Sequence, residues 1–332
     1  MSTGLAVPLF VASLALTLAA TVVFARWLDR CSEALGVSEG LHGVLTALGA
    51  DAPEIATAVA ALVSSHAKIG VGVVIGSNVF NIAALLGLSA VVAGRVRIHR
   101  HGLLLNGGVA LAVTALAAAL VLGAVGAVVA TLLLALVLVP YVILLSVRPV
   151  RLQRLVPTAP ARAFLAAAVR EEVLDLRTGE VTPKASRRDA AVLATTLAVV
   201  VLGSVGMVRA AEDLGRRYGV SDIIVGTLVL AALTSLPNLL TAVRLALHGR
   251  GAATVSEALN SNSLNVLAGI ALPALAISLG PASGLVTFSV WWLVGMTIVA
   301  IALTYTEGGL RRAEGGVIVG LYVAFAAVMA TR

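Results

Sequence analysis

Apolar runs of about 20 residues recur along almost the whole chain. Of its 332 residues, 60% are hydrophobic and only 12% are charged, whereas soluble domains are about 25% charged. Helices and closed barrels are the structures that satisfy the backbone inside lipid, and runs of this length suit helices. The sequence therefore predicts an all-α polytopic membrane protein.

Ten spans can be drawn, five on each side of the long polar segment Arg148–Asp189. This division predicts a first five-helix repeat at 1–147, a linker at 148–189 and a second five-helix repeat at 190–332. Within the linker, Ala161–Leu176 is compatible with a short amphipathic surface helix, but we favour a plain tether. The predicted spans are Leu5–Phe24, Val37–Val63, Ile69–Val92, Leu103–Leu122, Val125–Val147, Ala190–Val208, Val220–Leu247, Gly251–Leu279, Leu285–Thr304 and Gly315–Ala330.

The basic residues of the loops predict the orientation. With the N-terminus outside, 18 of the 23 Lys and Arg residues lie in inside loops and five lie outside. Five spans in each half then make the second half enter from the opposite face, which gives an inverted repeat. We expect a plasma (inner) membrane protein with both termini outside and a cytoplasmic linker. Since the net charge of +7 lies in short loops, we expect the lipid bilayer as a partner and no nucleic acid.

Two stretches of the chain repeat each other. The stretch 36–92 carries the motifs GVSE, APE and GSNVFN, and the stretch 219–279 carries GVSD, LPN and NSNSLN. The interval from Glu54 to Asn81 equals that from Asn238 to Asn265. Apolar segments that are interrupted by Gly or Pro at corresponding places in two halves indicate a transporter's binding site.

Two carboxylates, Asp51 and Glu54, lie inside the second predicted span. They are three residues apart, so in a helix they share a face, and Pro53 between them frees backbone carbonyls. Carboxylates and free carbonyls together suit a hard cation such as Ca²⁺ or Na⁺. Because charges are expensive inside a membrane, they indicate a functional site. A proton-carrying or purely structural role is the alternative.

Other polar residues carry weaker signals. His42 and His66 lie near opposite ends of the second span and suit the membrane interface. Glu39 and Asp222 hold matching places at the starts of the repeats and suit helix N-termini. Glu257, at the beginning of the eighth span, is expected to be solvated.

At the repeated motifs the chain resembles the sodium/calcium exchanger family, within the cation/Ca²⁺ antiporter superfamily. The resemblance covers nearly the whole chain and rests on 48–54 with 76–81 in the first half, and on 233–238 with 260–265 in the second. It implies ten transmembrane helices in two inverted repeats, a cation site at mid-membrane and exchange of Na⁺ for Ca²⁺ as transported ions, with no cofactor.

The chain also departs from the family pattern. Asn238 and Asn265 stand where the family has acids, and Ala50 and Asp51 stand where it has small hydroxyl residues. Both negative charges thus lie in one half. Fewer opposing acids weaken a divalent site, and two close carboxylates share protons. Proton coupling or a monovalent ion is therefore more plausible here than in a relative with the usual acids.

We interpret the chain as a secondary cation antiporter that exchanges Na⁺ for Ca²⁺ by alternating access. The first alternative is a cation/proton antiporter in which Asp51 or Glu54 carries H⁺. A non-transporting homologue and a membrane-embedded enzyme are weaker alternatives, since the sequence carries no nucleophile–base motif. We expect no catalytic residues, and the sequence predicts no particular oligomeric state. The predicted metal-site residues are Asp51, Glu54, Ser77, Asn81, Thr234, Ser235, Asn238, Ser261 and Asn265.

Overall fold

The computed structural model describes residues 3–34, 39–146, 158–176, 186–306 and 308–331. They form helices joined by short connections and one two-stranded ribbon. Three π-helical stretches, Ile82–Leu88, Val225–Leu230 and Leu267–Ala271, interrupt the longer helices. The elements are α1 (Thr3–Ala34), α2 (Glu39–Val63), α3 (Ala67–Asn81), α4 (Ser89–Ala93), β1 (Arg95–Arg97), α5 (Arg100–Val121), α6 (Ala127–Ser146), α7 (Ala159–Leu176), α8 (Arg187–Tyr218), α9 (Asp222–Ile224), α10 (Ala231–Thr234), α11 (Leu236–Leu247), α12 (Gly251–Val266), α13 (Gly284–Thr306), β2 (Gly309–Arg311) and α14 (Arg312–Ala330).

The described helices confirm an all-α membrane protein. Seven are long and apolar enough to cross a membrane, or up to eight if Asp222–Thr234 and Leu236–Leu247, bent by 47°, form one span. The predicted spans Val37–Val63 and Gly251–Leu279 are not among these, although both are largely helical. Helix α12 in the latter is 16 residues long and rich in Ser and Asn. The count of ten transmembrane helices stays a prediction.

Helices α1 and α8 pack along each other in opposite directions. Ser13 and Thr17 of α1 lie against Gly206 and Gly203 of α8, so rising residue numbers in one helix meet falling numbers in the other. Only 28% of the apolar window of each helix is buried, which places the pair at the edge of the bundle. Both helices, at 32 residues, extend well past the predicted spans.

Helix α3 lies at the centre of the bundle, and 94% of the apolar window of the segment Ala67–Ala93 is buried. It crosses the π-helical stretch of the second half at very short distance. A Cβ at Gly76 would lie 2.3 Å from the carbonyl oxygen of Thr227, and one at Gly226 would lie 2.5 Å from that of Ile69. Glycine at both positions is what lets the two backbones approach, as is common in membrane helix packing.

Loops that were predicted on the same side of the membrane lie together. β1 and β2 pair antiparallel with Arg95 opposite Arg311, and Gly251, at the start of α12, touches the backbone of Arg97. At the other end, His66 Nε2 lies 2.8 Å from a carboxylate oxygen of Glu212 in α8. The first group was predicted inside and the second outside; which end faces the cytoplasm stays a prediction.

The linker is only partly described, since 147–157 and 177–185 lie outside the described residues. Between them, Ala159–Leu176 is a helix that packs on α5, α12 and α2. The preference for a plain tether is therefore wrong for this segment. Its apolar residues, such as Phe164 against His101, find partners on the bundle, and tertiary packing stabilises a short helix that would be marginal alone.

Candidate cation site

The two proline-containing segments lie side by side but differ in shape. Helix α2 continues through Pro53. Its counterpart breaks at Ser235, where α10 ends and α11 begins with Pro237 in its first turn. Proline is tolerated in the first turn of a helix because the missing N–H has no partner there anyway. Pro53 therefore stands inside one continuous helix, whereas in the second copy the helix breaks before its proline.

The carboxylates of Asp51 and Glu54 are completely buried and face the second half. Asp51 Oδ1 accepts hydrogen bonds from Asn238 Nδ2 at 2.6 Å and from Ser261 Oγ at 2.5 Å. Glu54 Oε1 accepts from Asn238 Nδ2 at 3.0 Å, and its Oε2 accepts from Asn265 Nδ2. The amide of Asn238 thus bridges the two carboxylates, and the amide of Asn265 adds a second contact to Glu54.

The remaining predicted residues complete this cluster. Asn81 Nδ2 donates to Ser261 Oγ at 3.1 Å. Ser77, Asn81 and Ser235 also lie in hydrogen-bonding range of Glu54. Thr234 is buried next to them, and its hydroxyl donates to the carbonyl of Leu230 in its own helix at 2.8 Å. The structure thus brings together eight of the nine predicted residues, whereas Thr234 is buried beside Ser235 in sequence and its hydroxyl bonds within its own segment.

The hydroxyl protons at the site are largely directed away from it. Ser77 donates to the carbonyl of Val74 at 3.1 Å, and Ser235 donates to that of Ala231 at 2.8 Å. Each hydroxyl oxygen therefore keeps lone pairs for other partners. Such oxygens suit a cation, because a cation binds lone pairs and cannot accept a hydrogen bond.

Four buried oxygens at the site have no hydrogen-bond partner. Buried polar atoms without partners are rare and call for an explanation. The unpartnered atoms belong to a carboxylate and to three amides. Together with the other carboxylate oxygens and the hydroxyls, they match the donor set that hard cations use. The four atoms are Asp51 Oδ2, Asn81 Oδ1, Asn238 Oδ1 and Asn265 Oδ1.

Two residues of the repeated motifs were missed in the sequence. Asn78 Nδ2 donates to the backbone carbonyl of Asn262 at 3.1 Å, and Asn262 Nδ2 donates to that of Asn78 at the same distance. They hold the same third position in GSN and NSN, and this shared position was the signal that could have indicated them. The pair ties α3 to α12 directly beside the site.

A second polar network lies one turn away on α12. Tyr141 OH lies 2.7 Å from Asn106 Oδ1 and 2.8 Å from Asn260 Oδ1, and Asn106 Nδ2 donates to Ser256 Oγ at 2.7 Å. Glu257 beside it is 8% exposed. The expectation that Glu257 is solvated is wrong, since α12, which carries it, packs against α5, α7 and other helices of the bundle.

The weaker candidates stay outside the site. Asp222 lies in the first turn of α9, as expected for a helix-start acid. His66 contacts Glu212 rather than the cluster. The side chains of Glu39 and His42 lie outside the described residues.

Comparison with known proteins agrees with these motifs and contacts. Residues 5–155 and 189–331 match the family described as sodium/calcium exchanger protein. The chain belongs to the sodium/calcium exchanger family. The match covers both halves and leaves out most of the linker.

Among curated relatives of this exchanger-family chain is the sodium/calcium exchanger MaX1 of Methanosarcina acetivorans. The two are 27% identical over 142 residues, which is 43% of this chain and 41% of that exchanger. Sodium/potassium/calcium exchanger 2 of Rattus norvegicus is 30% identical over 130 residues, 37% of this chain and 19% of the relative. The alignments thus span less than half of the curated relatives.

The fold is that of a solved exchanger. The sodium-calcium exchanger NCX_Mj, in a crystal soaked with 2.5 mM Na⁺ and 0.1 mM Ca²⁺, superimposes with a TM-score of 0.62 at 21% identity, covering 99% of each chain. In a crystal soaked with 2.5 mM Na⁺ and 10 mM Sr²⁺ the TM-score is 0.60 at 21% identity. The architecture of this exchanger-family protein is therefore that of NCX_Mj along almost its whole length.

Proposed function

We propose that this protein is a secondary antiporter that exchanges Na⁺ for Ca²⁺ at the cluster around Asp51, Glu54 and Asn238. The observation that carries the proposal is the meeting of two fully buried carboxylates with oxygens that have no other partner. The names of the relatives support Na⁺ and Ca²⁺ as the ions. No enzymatic role is proposed.

The two ions would bind at overlapping oxygens. The ligands are the nine residues named above, with Asp51 and Glu54 as the charged ones and the amides and hydroxyls as neutral ones. Since Ca²⁺ and Na⁺ both use hard oxygen ligands, the site cannot hold both ions fully at once. Mutually exclusive binding at a site that opens to one side at a time produces exchange.

The halves 1–147 and 190–332 would form inverted repeats around this site. Two observations support this arrangement. The first helices of the halves, α1 and α8, run in opposite directions, and the corresponding residues Asn78 and Asn262 make the same contact with each other. The peripheral α1–α8 pair is the candidate for the moving part, with the cluster as the fixed part.

The proposed orientation follows the basic residues, with both termini outside, the segment 148–189 in the cytoplasm and the plasma (inner) membrane as the location. Access of a thiol reagent to single cysteines tests it. With Cys31 replaced by Ala, a cysteine at Gly123 should react from outside, because the α5–α6 connection that carries it is predicted there. A cysteine at Gly249 should react only from inside. The reverse pattern overturns the orientation.

Transport in liposomes tests the function. Purified protein should take up Ca²⁺ when Na⁺ is trapped inside at higher concentration than outside, and this uptake should stop when the Na⁺ gradient is removed. Uptake that ignores Na⁺ and follows an imposed pH gradient would replace this proposal with cation/proton exchange. Liposomes with the Glu54→Gln variant serve as the control for leak.

A further inference from the structure

The cation site has a formal charge that can be counted. The carboxylates that meet at the amide of Asn238 are those of Asp51 and Glu54. At the places in the second half that match Glu54 and Asn81, neutral amides stand instead, Asn238 and Asn265. The buried residues of the described part of the chain include no Lys and no Arg. With both carboxylates ionised, the cluster carries two negative charges.

The charge of a closed site limits the ions that it can hold. A net charge removed from water is costly unless opposite charge balances it. One Ca²⁺ balances two carboxylates, and so do two Na⁺. A third Na⁺ would leave a buried positive charge without a counter-charge.

We infer that this protein exchanges two Na⁺ for one Ca²⁺ in each cycle and moves no net charge across the membrane. The inference rests on the proposed function, Na⁺/Ca²⁺ exchange at this site. It adds to that function the number of Na⁺ ions exchanged per Ca²⁺ and the independence of the exchange from the membrane potential.

The contacts divide the cluster into two parts that suit two monovalent ions. Glu54 lies with Ser77, Asn81 and Ser235, whereas Asp51 lies with Ser261. Asn238 bridges the two parts, and Asn81 also donates to Ser261 across them. Each part therefore offers one negative charge and neutral oxygens to one Na⁺, and the space between them offers both charges to one Ca²⁺.

A third buried carboxylate lies nearby and belongs in the test. Glu257 precedes Ser261 by four residues on α12, which is one helical turn, and it lies within electrostatic range of Asp51. The hydrogen bonds that join the halves at Asn238 and Asn265 go to Asp51 and Glu54. We therefore leave Glu257 out of the charge of the site, and its variant Glu257→Gln tests this choice.

The equilibrium Ca²⁺ gradient in liposomes measures the number of ions directly. With the membrane potential held at zero, a tenfold Na⁺ gradient should support about a hundredfold Ca²⁺ gradient for two Na⁺ per Ca²⁺, and about a thousandfold for three. A tenfold K⁺ gradient with valinomycin then imposes a potential. This potential should leave the Ca²⁺ gradient unchanged, whereas one net charge per cycle would shift it about tenfold.

Variants that add a carboxylate sharpen the result. Asn238→Glu and Asn265→Asp each place a third charge in the cluster, so either one that transports should become sensitive to the potential by up to about tenfold. Ser221→Asp adds a carboxylate at an exposed helix start and should stay insensitive.

Each result with the wild-type protein decides the inference. An unchanged Ca²⁺ gradient under the K⁺ potential supports it. A tenfold shift overturns it, and a shift that disappears in Glu257→Gln overturns it by placing the third charge at Glu257. Absence of any Na⁺-dependent Ca²⁺ flux removes the proposed function itself and is recognisable because no gradient forms.

Discussion

The two halves of the cation site share their spacing and differ in their charge. In the first half, Glu54 follows the proline and Asn81 ends the second motif; in the second half, Asn238 and Asn265 hold those places. Both carboxylates of the cluster lie in the first half, and amides of the second half donate to them. The repeated spacing therefore brings side chains together without requiring that both halves carry the same chemistry.

The amides of the second half have two roles that acids could not have. Each donates through Nδ2 to a carboxylate, which fixes the carboxylates of the first half in place. Each also keeps an oxygen without a partner in the buried cluster, Asn238 Oδ1 and Asn265 Oδ1. The difference between the halves thus lowers the negative charge of the site while keeping its oxygens.

Removing the charge of the first half at Glu54 should have the largest effect. Glu54→Gln removes one of the two charges. It also replaces one carboxylate oxygen by an NH₂ group, which then faces the NH₂ group of either Asn238 or Asn265. Na⁺-dependent Ca²⁺ flux should fall about 100-fold or more, because a buried ligand charge and its hydrogen bonds are lost together. Glu314→Gln, at an exposed helix start, should transport normally. Full activity of Glu54→Gln would show that Glu54 is not a ligand.

Asp51→Asn should have a smaller effect on transport. Asp51 is held through one oxygen, by Asn238 and Ser261, whereas Glu54 is held through both. The variant keeps Glu54 and its neighbouring hydroxyls, so we expect about a tenfold rise in the Ca²⁺ concentration for half-maximal uptake. A loss larger than that of Glu54→Gln would reverse the roles that the contacts assign to the two acids.

The close crossing of the halves at Gly76 should be sensitive to a single methyl group. In Gly76→Ala the new Cβ meets the backbone of Thr227 at 2.3 Å, so the variant should lose about 1–3 kcal/mol of stability. At Gly108, an exposed position inside α5, nothing lies within 4 Å of a new Cβ, so Gly108→Ala should be as stable as the wild type or slightly more stable. Thermal unfolding in detergent measures both. Equal stability of the two variants would contradict the close crossing.

Replacing Asn78 or Asn262 by Ala tests the symmetry of the halves, and its expected effect on stability is the smallest of those considered. Each loses one hydrogen bond to the other's backbone on replacement by Ala, and Asn78→Ala also removes a long contact of 3.5 Å from Asn265 Nδ2 to Asn78 Oδ1. Side-chain hydrogen bonds between membrane helices contribute about 0.6 kcal/mol on average, so both variants should lose similar, small amounts of stability. A loss from one variant several times that from the other would show that the two contacts are not equivalent.

Much of the site could be predicted because its signals are local and repeated. Pro53 with Asp51 and Glu54, and the equal intervals to Asn81 and Asn265, indicated which side chains would meet. All of these lie buried in one cluster. The equal intervals allowed the two halves to be paired from the sequence alone.

The rest depended on tertiary packing that a single sequence does not carry. Glu257 stands in a polar stretch that is typical of solvated residues, and it is buried because α12 packs inside the bundle against α5, α7 and other helices. The link of Tyr141 to Asn106 and Asn260 joins α6 to the preceding helix α5 and to α12, 119 residues further along the chain. Each π-helical stretch contains one glycine, Gly87, Gly226 or Gly269, but glycine occurs 32 times in the chain and therefore did not single these stretches out.

Equilibrium binding of Ca²⁺ to the purified protein tests most directly whether the carboxylates of the first half and the amides of the second form one cation site. The account predicts one Ca²⁺ per chain, displaced by Na⁺, and no binding to the double variant Asp51→Asn/Glu54→Gln. Undiminished Ca²⁺ binding to that double variant would contradict it.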